Sequence, residues 1–180
     1  MSSPGRPKGE YRSAQHEGTP ASDDALLLDQ PGIAALIPHA GSMCLLDGLL
    51  AWDARTIRCR ATGHRAAGHP LRTASGLLAT NAIEYAAQAM ALHGALLAQS
   101  TGASPSPGFL ASARGVHCHR LHLHDLPGAL EVVAERVAGD THQLLYAFHV
   151  QHAGEPVADG RAAVVLNPVL ASGSTPGDPS

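Results

Sequence analysis

The sequence predicts an α+β domain in which one long apolar helix is wrapped by a curved antiparallel sheet, and three observations predict it. Residues from Gly76 to about Gln99 are rich in Ala, Leu, Ile and Met, with one carboxylate, Glu84, and no Lys or Arg, the composition of a helix covered nearly all round. Four strand-like runs follow in succession, divided by turn chemistry. The order of hairpin, helix and then strands lacks the alternation that βαβ units require, so one sheet has to curl around one helix.

The elements follow from local chemistry. Residues 1–28 are expected to form a disordered tail, since Met1 to Asp24 are rich in Ser, Pro, Gly and charge without an apolar period. The same composition from Ala171 onward predicts a C-terminal tail over 169–180 and leaves 29–168 as the folded domain. Asp29 or Gln30 ahead of Pro31 opens a short helix through Ile33-Ala34-Ala35-Leu36-Ile37, which Pro38 ends. Met43 to Trp52 and Thr56 to Ala61, parted by Asp53-Ala54-Arg55, predict a hairpin, and Ile57 and Cys59 alternating with Arg58 and Arg60 give it one buried face. Thr62 to Ser75 has no period and reads as the longest internal loop. After a linker from Ser100 to Gly108, the runs Phe109 to His119, Ala129 to Ala138, Gln143 to His152 and Pro156 to Leu166 are expected to form an antiparallel meander.

Composition narrows the function. With 44% hydrophobic and 15% charged residues, much apolar surface has to be hidden in a core or against another subunit, which predicts an oligomer. A formal charge of −3 gives no broad basic field, so nucleic acid is not an expected partner. Glu84 and His93 interrupt the apolar stretches, which fall short of a membrane span and follow no signal pattern, so a soluble, cytoplasmic protein without a membrane partner is expected. Cys44, Cys59 and Cys118 are odd in number and widely spaced, and read as reduced packing residues. The absence of G-x-G-x-x-G, G-x-x-x-x-G-K and G-x-S-x-G removes support for nucleotide binding and serine-hydrolase chemistry.

The most informative residue is Glu84. Helical spacing sets Thr80, Glu84 and Gln88 in one row, a narrow polar stripe that either lines a cavity or faces solvent. A carboxyl held in an apolar wall can serve as a proton donor near neutrality. His64 and His69 in the preceding loop are the natural proton acceptors, with plain surface loop residues as the alternative reading. His117, His119, His122 and His124 carry H-x-H spacing, but only Asp125 joins them, so surface strand histidines are expected and no metal.

Three segments carry a resemblance: Ile37-Pro38-His39-Ala40-Gly41-Ser42-Met43-Cys44-Leu45-Leu46-Asp47, Ile83-Glu84-Tyr85-Ala86-Ala87-Gln88-Ala89-Met90, and Pro107-Gly108-Phe109-Leu110 with Gly160-Arg161-Ala162-Ala163. With them the chain resembles the hot-dog-fold β-hydroxyacyl-acyl-carrier-protein dehydratases, most closely the ApeP-like group linked to aryl-polyene biosynthesis, over about Ile33 to Leu166. The resemblance implies a lyase that dehydrates 3-hydroxyacyl thioesters to the trans-2-enoyl form in fatty-acid or polyene and polyketide biosynthesis. It implies no cofactor beyond the phosphopantetheine of an acyl carrier protein, and a homodimer or a heterodimer with a related hot-dog subunit. Glu84 matches the acid on the helix that protonates the departing hydroxyl, with His69 or His64 as the base. A backbone N–H near the helix start, at Ala79, would polarise the thioester carbonyl, with Gln88 and His39 beside the substrate. His39 is read chiefly as a tether of the first helix. His69-Pro70-Leu71-Arg72 lacks the family's Phe-Pro-Gly continuation, which leaves His64 as a rival and a partner chain as a possible source of the histidine. A hot-dog thioesterase and a non-catalytic subunit of a dehydratase heterodimer are the alternatives.

Overall fold

The computed structural model describes residues 25–166. The sequence-assigned tails fall almost wholly outside this range. The exception is the stretch before residue 29, where the Leu27 N–H donates to the Leu49 carbonyl and Leu28 pairs with Leu49, so the sheet begins inside the stretch read as tail.

Strand β1 (Leu28–Asp29) leads into helix α1 (Gln30–Ala34), where Asp29 caps the first turn by accepting from the Gly32 N–H and Pro31 occupies the opening turn. Strands β2 (Gly48–Trp52) and β3 (Thr56–Ala61) form the expected hairpin. Its turn is an Asp53 side chain accepting from the backbone N–H groups of Arg55 and Thr56. In β3, Ile57, Cys59 and Ala61 are buried, and Arg58 and Arg60 lie on the other face, as alternation demands.

The central helix starts later than composition suggests. Gly76 sits at a φ of +88°, closing a turn with Thr73, and a side chain there would collide with the ring of His124. A single 3₁₀ turn over Ala79–Asn81 then leads into α2 (Ala82–Ser100). Strands β4 (Gly108–Cys118), β5 (Leu130–Gly139), β6 (Gln143–His152) and β7 (Glu155–Leu166) complete one antiparallel sheet of order β1-β2-β3-β5-β6-β7-β4. The expected four-strand meander is therefore a three-strand one. β4 pairs with β7 at the far edge, because the stretch from His119 to Ala129 carries the chain back across the sheet before β5 begins on β3.

The concave face packs on α2, with Tyr85, Ala86, Ala89 and Leu92 of the helix meeting Ile57, Val132, Ala134, Tyr146 and Phe148 of the strands in one core cluster. This is the hot-dog architecture expected of the sequence. Cys44 and Cys59 are buried as predicted, and burial pushes the Cys59 thiol up to about 12. Cys118 is exposed and does not pack, since β4 is an edge strand with little on either face. No helix among the described residues is long and apolar enough to cross a membrane.

Candidate active site

Glu84 lies in the first turn of α2, and its side chain is 31% exposed. It therefore stands at the mouth of the core and not in a closed apolar wall. Four residues on, Gln88 is fully buried. Its Oε1 accepts from the Leu45 N–H at 2.9 Å, and its Nε2 donates to the Met43 carbonyl at 2.8 Å and to Glu84 Oε1 at 3.0 Å. The backbone donor and acceptor together fix which way the amide points, so Gln88 must present N–H to the carboxylate. The polar row predicted from spacing is thus a brace running from Glu84 through Gln88 to the Met43-Leu45 segment, while Thr80 at its start is exposed.

The imidazole that meets Glu84 in the same chain is His39, with Nε2 at 3.1 Å from Oε1. His39 belongs to the Pro38–Gly41 segment just ahead of the braced residues, so the Gln88 bonds that seat Met43 and Leu45 also bring this loop to the helix. The tether reading of His39 finds this one polar contact to support it, and the contact is with Glu84 and not with the sheet. Its Nδ1, like that of His64, is buried without a partner among the described residues.

His69 and His64 are placed differently. Both are buried, which removes the reading of them as surface loop residues. His69 Nδ1 accepts from the Leu71 N–H at 3.2 Å, so Nε2 carries the proton that faces the Tyr85 hydroxyl at 2.9 Å. Tyr85 follows Glu84 in sequence but points into the core, and its ring stacks on His69 with centroids 6.1 Å apart. Burial, assisted by repulsion from His64 when charged and from Arg72, holds the His69 pKa below the ordinary imidazole value. His64 donates from Nε2 to the Leu126 carbonyl at 2.9 Å and is also depressed by burial. Neither ring forms a hydrogen bond or an ion pair with Glu84. His69 instead lines a 260 Å³ cavity with Gln30, Ser42, Cys44, Asp47 and Thr62.

The Ala79 N–H, expected to be a free donor at the helix start, gives its hydrogen bond to the Leu121 carbonyl at 2.9 Å. His124 secures the same corner, accepting from the Leu77 N–H at 3.1 Å. Of the strand histidines, His117 and His119 both face Asp159, and His122 and His124 both face Asp125. No group of three or more metal-binding side chains converges among the described residues. Sequence reasoning missed the His39 contact because it joins residues 45 apart through a brace whose key member, Gln88, looks in sequence like one more polar helix residue. The usable signal was a glutamine on an otherwise apolar helix, which has to find partners when buried.

A helix inside a curled antiparallel sheet, with a half-buried carboxyl in its first turn, has the architecture of a hot-dog-fold protein. Within that class the chain belongs to the ApeP-like family: the family model described as ApeP dehydratase matches residues 31–172. No curated protein matches the sequence. Among solved structures, the dehydratase heterocomplex ApeI:P from Xenorhabdus doucetiae is similar at 20% identity and a TM-score of 0.68, covering 75% of this chain and 90% of that one. A thioesterase variant from Staphylococcus aureus is similar at 12% identity and a TM-score of 0.53, covering 67% of this chain and 93% of that one. At these identities the solved structures establish the shared fold.

Proposed function

We infer that the protein dehydrates 3-hydroxyacyl thioesters carried on an acyl carrier protein to the trans-2-enoyl form, in fatty-acid or polyene and polyketide biosynthesis, with Glu84 as the group that protonates the departing hydroxyl. Membership of a dehydratase family gives the reaction class. The observation that carries the assignment to Glu84 is its half-open position: Oε1 accepts from Gln88 and lies 3.1 Å from His39 Nε2, and Oε2 has no partner among the described residues. A protonated carboxyl held in this way keeps its O–H free for a substrate.

In the reaction a base takes the Cα proton, the electron pair of that bond forms the Cα=Cβ bond as the Cβ–O bond breaks, and the hydroxyl leaves as water with the proton from Glu84. The α-proton needs a base. His69 uses both ring nitrogens in hydrogen bonds and His64 is fully buried, which favours an imidazole supplied by a second, related hot-dog subunit. That the similar solved structure is a dehydratase heterocomplex supports this arrangement.

The sheet has an edge suited to such a partner. β4 pairs with β7 on one side alone and runs 11 residues, whereas the opposite edge strand, β1, has 2. Phe109, Leu110 and Val165 are exposed beside it. The test is to supply a 3-hydroxyacyl carrier protein to the chain alone and to the chain mixed with a related hot-dog subunit. Enoyl product from the chain alone, or only from the mixture, supports the single-chain or the half-site form respectively. Release of free thiol without enoyl product identifies a thioesterase instead.

A further inference from the structure

We propose that His39 is the positioning residue of Glu84, holding Oε1 together with Gln88 so that Oε2 is the single oxygen of the carboxyl presented to substrate. The proposal rests on the dehydratase reading for its kinetic consequence and on geometry alone for the contact. His39 Nε2 lies 3.1 Å from Glu84 Oε1, and Gln88 Nε2 lies 3.0 Å from the same oxygen. The orientation of the Gln88 amide is fixed by Met43 and Leu45. One donor, the Gln88 amide, bonds to this oxygen and the His39 ring stands at ion-pair distance from it, so Oε2 is the oxygen left open.

Three further observations separate this role from a tether. The contact with Glu84 is the one polar interaction of His39 among the described residues, so the ring joins nothing else to the fold. An ion pair this open adds little stability, so structural need accounts poorly for an imidazole here. Nδ1 is buried with no hydrogen-bond partner among the described residues, so nothing on that side of the ring anchors it to the fold. His69 and His93 show the opposite state, with both ring nitrogens of each engaged. With Nε2 turned toward Glu84, the clamp calls for the tautomer that carries its N–H on Nε2.

The test uses the full chain, with its partner subunit if the wild type needs one, and compares His39→Gln with His39→Ala. Glutamine can set an N–H close to the place of Nε2, and alanine cannot. His39→Ala is expected to lower kcat about 100-fold, at the low end of what a misplaced general acid costs, with KM changed less than about twofold. His39→Gln should recover most of that loss. A kcat for His39→Ala within twofold of wild type, or a His39→Gln variant no faster than His39→Ala, overturns the proposal. A wild type that yields no enoyl product under any condition refutes the dehydratase reading instead. The contact is then read without turnover, from the ¹⁵N shifts of the His39 ring. An Nε2–H tautomer in the wild type that becomes a mixture in Glu84→Ala supports the clamp, and identical spectra in the two proteins overturn it.

Discussion

Helix α2 carries polar groups at two places, and they are built on opposite plans. Near its middle, His93 is wholly enclosed: Nε2 donates to the Asp53 carbonyl at 2.8 Å, and Nδ1 accepts from the Tyr146 hydroxyl at 3.1 Å. Every valence is used, and burial holds the imidazole pKa down and the Tyr146 phenol up to about 12, which keeps both neutral. In its first turn, Glu84 is partly open, braced on one oxygen and free on the other. A closed polar pair inside a core fixes the position of a helix against a sheet. A polar group with one valence left open at the end of the same helix is free to act on something else.

The comparison breaks first at Glu84. Glu84→Gln should reduce enoyl formation by about 10²- to 10⁴-fold, the usual worth of a general acid, with little change in the denaturant midpoint because the side chain is partly solvated. A variant as active as wild type removes the role assigned to this end of the helix.

The reciprocal change is His93→Ala. It opens a cavity and leaves the Tyr146 hydroxyl and the Asp53 carbonyl without partners, so the expected loss is about 2–4 kcal/mol of stability by chemical denaturation. Activity per folded molecule should be retained. A stability loss below about 0.5 kcal/mol would mean that the closed network does not hold the helix.

Tyr85→Phe sharpens the contrast from the closed side. It removes the hydroxyl that engages His69 Nε2 and should cost about 1–2 kcal/mol through the orphaned ring nitrogen. If activity in the complex rises or falls while stability stays level, His69 belongs with the open group and not with the closed one.

The pH response follows from the buried histidines. His64, His69 and His93 all have folded-state pKa values depressed by burial. The unfolded chain therefore binds protons first as pH falls. Their contribution to stability is complete above the ordinary imidazole value of about 6.5 and is lost as pH drops from there toward the lower folded-state values. Denaturant midpoints should be level from neutrality upward and decline below about pH 6.5, with a shallower decline in a His93→Gln variant. A midpoint that rises on acidification contradicts the neutral assignment of these rings.

Much of this was legible in the residues. The apolar α2, the hairpin at Asp53-Ala54-Arg55, and strands β5 to β7 follow from period and turn chemistry, because local sequence decides them. The placement of β4 does not follow, since the choice between β5 and β7 as its neighbour is made by a connection of irregular backbone from His119 to Ala129. Glu84 stood out as a lone charge on a greasy helix, and Gln88 shared its row. His39 was read as a tether and as a neighbour of the substrate, but its contact with Glu84 was not legible, as nothing in a loop histidine announces a contact 45 residues away; Gln88 makes it by bonding to Met43 and Leu45. His69 and His64 drew attention as histidines near Glu84 in the chain, yet the backbone folds their rings toward Tyr85 and Leu126.

In the proposed reaction the Glu84 carboxyl, in the first turn of α2, donates a proton to a leaving hydroxyl. The most direct measurement is mass spectrometry of a 3-hydroxyacyl carrier protein incubated with the wild type, or with its assembled complex, alongside Glu84→Gln. Loss of one water from the acyl group with the wild type, slowed at least about 100-fold in the variant, is the predicted result. Equal water loss from both proteins contradicts it.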